Sequence, residues 1–226
     1  MSLSAIKRQV ISCQRCPRLR AYCARVARQK RAAFRDDNYW GKPVPGFGDR
    51  RARVLVIGLA PAAHGANRTG RVFTGDKSGD FLFRALHATG FANQPSSTHL
   101  KDGLKLTDAY INAVVRCAPP ENKPTKREIH NCQPFLEDEL KTLKNVQIVV
   151  ALGKIACDAY WRLLATSGVR PKSKPRFSHG LVFDKTKGLA PLLVASYHPS
   201  QQNTNTGKLT AVMMTDIFLQ VRTLLK

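Results

Sequence analysis

Four short runs of aliphatic and β-branched residues constrain the fold of this chain more than any other feature. They span 53–58, 109–115, 146–152 and 191–196. Runs that are hydrophobic almost throughout are typical of strands buried on both faces of a parallel sheet. Because helical patterns lie between the runs, the sequence predicts an α/β fold, a three-layer α/β/α sandwich with a central four-stranded, mainly parallel sheet.

The starts and stops of the predicted helices are visible in the sequence. Residues 125–143 begin with Thr125 as N-cap and Glu128 three residues later, which is the pattern of a capping box. Another helix runs from about Asp80 to a stop at Gly90. Further helical patterns cover 4–32 (in pieces), 154–165 and 208–224.

The length of the chain predicts a single domain over 1–226, since 226 residues suit one sizeable α/β domain and are few for two. Residues 1–50 are expected to be a basic, cysteine-containing extension packed on it. Within the extension, 35–50 is rich in Gly and Pro and predicts a loop packed by its own aromatic residues. Residues 166–190 are interpreted as an excursion with a short β-hairpin around Gly180.

The charge of the chain indicates a polyanionic partner. It has 37 Lys and Arg against 15 Asp and Glu, a net charge of +22. A net charge of about 2–8 is enough to keep a small domain soluble, so the surplus favours nucleic acid over a surface that is basic for solubility alone. The sequence has neither a signal peptide nor an apolar stretch of about 18 residues. We therefore expect an intracellular, cytoplasmic protein associated with the nucleoid, with no membrane partner.

Four of the six cysteines have a spacing that suits a metal site. Cys13 and Cys16 form a C-x-x-C pair, Cys117 follows the second predicted strand, and Cys132 lies early in the next helix. Four thiolates satisfy either tetrahedral zinc or a [4Fe–4S] cluster. The second half lacks the repeated C-x-x-C of a zinc ribbon, which favours iron–sulfur.

The other two cysteines have simpler interpretations. Cys157 lies inside an apolar helical pattern and is expected to be part of the core. Cys23 follows Cys16 by seven residues and is the competing candidate for a ligand role. We expect the site to be structural, attaching the basic N-terminal segment to the end of the sheet.

Ligands of open α/β sheets bind beyond the carboxyl ends of the strands. This rule selects the loops at 58–76, 112–124, after 153, and 196–206. They contain the segments GLAPAAHGANRTGRVFTGD (58–76), NAVVRCAPPENKP (112–124) and HPS (198–200). Together with the cysteine spacing, these segments resemble family 5, the b-type iron–sulfur branch, of the uracil-DNA glycosylase superfamily. The resemblance spans residues 13–200.

The resemblance implies a [4Fe–4S] cluster held by the four cysteines, and a DNA glycosylase that initiates base excision repair. It also implies a broad range of bases, namely uracil with the deaminated purines hypoxanthine and xanthine. Duplex DNA that contains a deaminated base is the expected partner, with single-stranded DNA left open, and the protein is expected to be a monomer. Since lysine is not suitably placed for Schiff-base chemistry, we expect a monofunctional enzyme.

Side chains in the matching segments suit the chemistry of a glycosylase, which must flip a base out, hold it and stabilise it as it leaves. Phe73 is expected to stack on the flipped base. Asn112 carries an amide that can read a base edge, and Asn122 is a weaker candidate for the same task. His198 is expected to donate a hydrogen bond to the departing base. The alternative for each is an ordinary packing or structural role.

The loop after the first strand is apolar at Leu59, Ala60 and Ala62, where better-known uracil glycosylases carry a polar side chain. Ala60, Pro61 and Ala62 are therefore expected to shape a roomy base pocket without activating water. Water activation is then expected to fall to Asp76 at the end of the loop or to His64, with backbone amides as another source. Asp76 is alternatively the N-cap of the following helix.

Contacts with DNA are expected on both sides of this pocket. The loop from Gln201 to Lys208 is interpreted as the part that enters the groove, with an ordinary polar turn as the alternative. The basic residues predicted to contact phosphates are Arg68, Arg71, Lys77 and Lys123. Two other classes of protein stay open from the sequence: a non-catalytic iron–sulfur module that binds nucleic acid, and a zinc-bound structural protein.

Overall fold

The computed structural model describes residues 1–169, 173–184 and 190–225. In these residues the strands are β1 Phe47–Gly48, β2 Val54–Gly58, β3 Ala109–Ala113, β4 Ile148–Leu152, β5 Val182–Phe183 and β6 Leu192–Ser196. The α-helices are α1 Leu3–Ile11, α2 Pro17–Gln29, α3 Ala66–Thr69, α4 Lys77–Ala88, α5 Lys126–Thr142, α6 Lys154–Thr166, α7 Gln201–Asn205 and α8 Ala211–Leu224. Short 3₁₀ turns cover Ala32–Phe34 and Pro120–Asn122.

The strands form one mixed sheet in the order β1-β3-β2-β4-β6-β5. The central four, β3-β2-β4-β6, are all parallel, as predicted. The predicted strand count of four is too low for the described residues, because β1 and β5 add an antiparallel strand at each edge. Each edge strand is only two residues long, which is too short to produce a periodic signal.

Both faces of the sheet are covered, which confirms the three layers. Strand residues such as Leu55 and Ile57 point to one face and pack with α2, α5 and α6. Their neighbours Val54 and Val56 point to the other face and pack with α4 and α8. This alternation explains why the strands are hydrophobic at nearly every position.

Local signals place the helices well. Thr125 and Glu128 make the predicted capping box at the start of α5, with both reciprocal hydrogen bonds present. The predicted helix near Asp80 begins earlier, at Lys77, because Asp76 caps it. The predicted break in the N-terminal helix falls between α1 and α2, at the C-x-x-C segment.

The N-terminal helices are attached to the sheet layers by specific contacts. Ile6 and Val10 of α1 pack against Phe135 of α5. Arg18 of α2 forms two hydrogen bonds of 2.8 Å with Glu128, the same carboxylate that completes the capping box. The start of α2 is therefore fixed to the start of α5.

The predicted hairpin around Gly180 corresponds to β5, which pairs antiparallel with β6. The parts of the predicted excursion at 170–172 and 185–189 lie outside the described residues. In the described portion of the chain, none of the helices combines the length and hydrophobicity that crossing a bilayer requires.

Candidate active site

A cleft of about 1300 Å³ opens at the carboxyl-terminal edge of the parallel strands. Its lining brings together Asp76, His64, Ala62 and Asn122, four of the predicted site residues. The rest of the lining includes Gly65, Gly75, Lys77, Gln201 and residues 98–101. A smaller cavity of about 650 Å³ lies near the amino ends of the strands, around Arg53 and Asp108, and contains none of these residues. The cleft is therefore the candidate active site.

Asp76 is both a cleft residue and the N-cap of α4. Its Oδ1 accepts a hydrogen bond of 2.9 Å from the backbone N–H of Gly79. The pKa of Asp76 is raised by burial, although backbone N–H groups of Gly79 and Ser78 oppose the shift. A carboxylate in this setting binds a proton more readily than an ordinary Asp does, which is the property expected of a general base.

Gly65 makes room for the Asp76 carboxylate. A Cβ atom at position 65 would lie 2.0 Å from Asp76 Oδ2, far inside contact distance. The loop backbone can therefore lie against the carboxylate only because position 65 lacks a side chain. The sequence interpretation missed this role, although the Gly that follows His64 was the available signal.

His64 lines the same cleft and is held by a residue that the sequence interpretation did not single out. Its Nδ1 and the hydroxyl of Tyr39 share a hydrogen bond of 2.9 Å. Burial and the nearby positive charges of Arg31 and Arg68 lower the pKa of His64. His64 is thus neutral at physiological pH. Tyr39 comes from a distant loop, so only the fold could reveal this pair.

Phe73 and His198 form a second group, and neither contributes to the lining of the cleft. Their ring centroids are 6.0 Å apart and the rings are tilted by 33°. Phe73 has a left-handed backbone with a φ of 52°, and its ring lies so close to Gly58 that a Cβ there would be 2.7 Å away. Two of the parallel-strand loops thus place these two predicted residues side by side.

His198 follows β6 and sits in a constrained turn. Burial lowers its pKa to about 4, so the imidazole is neutral at physiological pH. Its backbone carbonyl accepts a hydrogen bond of 2.8 Å from the side chain of Asn203. A Cβ at Gly153 would lie 3.2 Å from His198 Cβ, so the loop after β4 packs closely against the histidine. A neutral imidazole in a fixed position can donate one hydrogen bond.

Asn112 does not contribute to the lining of the cleft, and its predicted role in reading a base stays a prediction. The side chain is fully buried, and its Nδ2 donates a hydrogen bond of 2.7 Å to Glu139 of α5. Glu139 also pairs with the buried Arg116. The amide is therefore part of a polar cluster between the sheet and α5. Asn122, in contrast, is exposed and lines the cleft.

The apolar loop residues divide in a similar way. Ala62 lines the cleft, whereas Pro61 is buried. Ala60 packs against the hydrophobic cluster that contains the cysteines. Of the three residues predicted to shape the pocket, Ala62 is the one whose side chain lies on its lining.

Two of the predicted phosphate contacts, Arg68 and Arg71, make polar contacts within the protein, and Arg68 also lines the cleft. Arg68 donates hydrogen bonds to the carbonyls of His64 (2.8 Å) and Gly75 (2.9 Å) and forms an ion pair with Asp37. Arg71 is 6% exposed and pairs with Asp102 at 2.6 Å. Both guanidinium groups are used to hold the loops together, because loop carbonyls and carboxylates surround them.

The two predicted lysine contacts are at the surface. The side chain of Lys77 is 75% exposed and lines the cleft. Lys123, next to Asn122, is 80% exposed and lies 3.2 Å from the equally exposed Glu121. The predicted groove-entering loop from Gln201 contains the short polar helix α7, capped by Ser200.

The predicted metal-binding cysteines lie in one region, at the junction of α2, α5 and the end of β3. Burial raises the pKa of Cys16, and Cys117 and Cys13 raise it further, whereas a hydrogen bond from Asn131 lowers it. Burial also raises the pKa of Cys132 to about 12, with Cys117 and Cys16 contributing. The four thiols are therefore close enough to influence one another. Among the described residues, no three His, Cys, Asp or Glu side chains converge closely enough to surround a single ion.

Cys23 joins the same region. It is fully buried and shares a hydrogen bond with Cys117, which lowers the pKa of Cys23 and raises that of Cys117. The backbone carbonyl of Cys23 also accepts a hydrogen bond of 3.3 Å from Asn67, which connects the cysteine region to the loop of the cleft. Cys157 is buried in α6, as predicted.

Comparisons with known proteins identify the family to which the chain is similar. Residues 45–222 match the sequence model of the uracil DNA glycosylase superfamily. A type-5 uracil-DNA glycosylase of Mycobacterium leprae is 49% identical over 224 residues, covering 99% of this chain and 96% of that protein. A type-5 enzyme of Thermus thermophilus is 47% identical, covering 99% of each chain. One from Mycobacterium tuberculosis is also 47% identical, covering 99% of this chain and 82% of that protein.

Proposed function

Because the chain belongs to family 5 of the uracil-DNA glycosylase superfamily, we propose that it removes uracil from DNA as a monofunctional glycosylase that starts base excision repair. The observation that carries this proposal is the grouping at one edge of the sheet. The Asp76 carboxylate lines the cleft, and the neutral His198 packs against Phe73, which lies three residues before Asp76 in the same loop. The bond broken is the N-glycosidic bond, and water is the second reactant.

The described side chains can divide the reaction between them. Ionised Asp76 positions a water molecule and accepts its proton as the water attacks the sugar. Neutral His198 donates a hydrogen bond to the oxygen of the departing base, where negative charge develops. Phe73 offers a ring face for stacking, and the amide of Asn122 is placed to read the base edge. His64 is the second candidate for holding the water.

The range of bases is proposed to extend beyond uracil to hypoxanthine and xanthine. The support is the shape of the cleft, whose volume is about 1300 Å³. Ala62 contributes no polar group to its lining that would reject a purine. An apolar lining of this kind would discriminate less between bases than a pocket that hydrogen-bonds one pyrimidine.

An assay of base release tests the function directly. The purified protein is incubated with duplexes that contain uracil, hypoxanthine or xanthine, and with the matching single strands, and abasic sites are counted. Release of uracil is expected, with release of the purines at a measurable rate. Binding to DNA without release from any of these substrates would favour the non-catalytic module instead.

We also propose that Cys13, Cys16, Cys117 and Cys132 hold a [4Fe–4S] cluster. A cluster takes one thiolate per iron, so its ligands lie farther apart than those of a single ion. The support is the spacing of these four cysteines and their mutual influence on pKa at one junction, which would suit four thiolate ligands. The cluster would supply a covalent crosslink between α2, α5 and the end of β3.

Loss of one ligand is expected to remove the iron. Cys132→Ser should reduce bound iron and the brown absorption at roughly 400 nm, measured on anaerobically purified protein. Cys157→Ser is the matched control, since Cys157 is equally buried but lies in α6. Cys23→Ser should keep the iron; if it loses the iron and Cys13→Ser keeps it, then Cys23 replaces Cys13 in the ligand set.

Gly65→Ala is expected to lower the rate of base release roughly tenfold or more, because the added methyl group would displace the Asp76 carboxylate. The rate constants of base release under single-turnover conditions measure the effect. A double-mutant cycle with Asp76→Asn separates this cause from general damage. If the glycine acts through Asp76, adding Gly65→Ala to Asp76→Asn costs little; fully additive losses would contradict this cause.

A further inference from the structure

Residues 97–102, here called the rim strap, run along one edge of the cleft. Thr98, His99, Leu100 and Lys101 all contribute to its lining. The strap begins next to the loop at 58–76, because the backbone N–H of Gly75 donates a hydrogen bond of 2.8 Å to the carbonyl of Ser97. The first residue of the strap is thus hydrogen-bonded to the residue that precedes Asp76.

A buried ion pair holds the rim strap in place. Arg71 donates hydrogen bonds to Ser97 Oγ (2.8 Å) and to Asp102 Oδ2 (2.6 Å), one residue at each end of the strap. Asp102 also accepts backbone hydrogen bonds from Thr98 (2.8 Å) and Leu104 (3.1 Å). A segment tied at both ends to the same guanidinium group has little freedom to move.

Leu100 lies within the rim strap, and its side chain is exposed to solvent. Its exposed fraction is 52%, and only four large hydrophobic residues are exposed in the described part of the chain. These four are Met1, Leu100, Val212 and Leu219, and of them only Leu100 lines the cleft. It stands between His99 and Lys101. An apolar tip flanked by basic side chains matches DNA, whose phosphates surround an apolar base stack.

We propose that Leu100 enters the base stack of a DNA duplex where the target nucleotide has left it, and that the rim strap is the element that gives the enzyme its activity on duplexes. The inference rests on the proposed function. Extruding a nucleotide leaves a gap between its neighbours, and apolar side chains fill such gaps in proteins that unstack DNA. The loop from Gln201, expected from the sequence to support the flipped state, forms α7 with polar residues and offers no comparable side chain.

The test compares Leu100→Ala with Leu219→Ala. Leu219, on α8, is 51% exposed and does not line the cleft, so it controls for removal of an exposed leucine. We expect Leu100→Ala to lower kcat/KM for uracil in a duplex at least tenfold, about 1.4 kcal/mol, and to leave kcat/KM for uracil in a single strand unchanged. Leu219→Ala should change neither, and Leu100→Met should restore most of the duplex activity.

A second readout follows the stack itself. A fluorescent 2-aminopurine placed beside the uracil should brighten when native protein binds the duplex, and brighten much less with Leu100→Ala. An unchanged ratio of duplex to single-strand activity overturns the inference, and so does an equal loss on both substrates. If the native protein releases uracil from neither substrate, the proposed function has failed, which is a different result from a failure of the strap.

Discussion

Asp76→Asn is expected to slow the release of uracil by about 10²–10⁴-fold while leaving the protein folded. Asparagine caps helices about as well as aspartate does, so the hydrogen bond with the Gly79 N–H can be kept. What the substitution removes is the negative charge that orients and deprotonates water. The expected loss therefore belongs to the chemical step. It should be seen in the rate constant of base release under single-turnover conditions.

The matched control is Asp80→Asn. Asp80 lies on the same helix and lines the same cleft, but its partner is the exposed Lys77 at 3.8 Å. The control should keep nearly full activity. The melting temperature of Asp76→Asn should equal or exceed that of the native protein, because burial penalises the ionised carboxylate. A variant with more than half the native rate would mean that Asp76 is only a cap, and would move the water-holding role to His64.

The pH dependence follows from the raised pKa of Asp76. The ionised form is the active one, so kcat/KM should fall as the pH drops through a pKa that lies above the ordinary Asp value of about 3.9. Asp76→Asn should lack this acid limb, while Asp80→Asn should retain it at a lower pH, because the charge of Asp80 helps to raise the pKa of Asp76. A native profile that stays flat down to the ordinary Asp range would contradict the assignment.

His198→Ala is expected to lower kcat by about 10²–10³-fold with little change in affinity for DNA. The imidazole is placed to stabilise charge that exists only as the base departs, so its loss should not weaken the ground-state complex. Fluorescence anisotropy with uncleavable DNA measures the affinity, and base release measures kcat. His87→Ala is the control, because this histidine is exposed on α4. An equal loss of affinity and rate would indicate a binding role instead.

The ionisation state of His198 gives a separate check. Its pKa is lowered to about 4, so the neutral form predominates throughout the range from pH 5 to 8. If neutral His198 is the donor, its contribution to kcat is lost as the pH falls through about 4. The same contribution does not change as the pH rises through 6.5. If the charged imidazolium were the donor, kcat would instead decline as the pH rises above about 4, so a profile from pH 5 to 8 would fall throughout.

The layers of the fold could be predicted from the sequence because local patterns determine them. Continuous apolar runs identified the four parallel strands, and the capping box at Thr125 fixed the start of α5. The edge strands β1 and β5 could not be predicted, since two residues carry no period and their pairing depends on β3 and β6. The helix α3, Ala66–Thr69, was likewise hidden in what the sequence indicates is a loop.

The position of a site residue could be predicted where it directly follows the end of a strand. It could not be predicted where it depends on a hydrogen-bond or ion-pair partner that is distant along the chain. Asp76 and His64 meet at the cleft as the topology requires. The hydrogen bond between Asn112 and Glu139 could not be predicted, because Glu139 lies 27 residues away along the chain. The ion pair of Arg71 could not be predicted for the same reason, since Asp102 is 31 residues away along the chain. A sequence shows the charge of such residues but not what neutralises it.

The internal ion pairs of Arg68 and Arg71 imply that two steps depend differently on ionic strength. These steps are the search for a damaged base along DNA and the excision of that base. Arg68 and Arg71 form ion pairs with Asp37 and Asp102, so we expect them to contribute less to phosphate binding than the exposed basic residues do. These two ion pairs add nothing to the net charge, so the full +22 is left for weak, sequence-independent contact along undamaged DNA. Added salt should therefore shorten the distance that the enzyme travels along undamaged DNA before it dissociates. Once the enzyme has bound its target base, the rate constant of base excision should be nearly independent of salt.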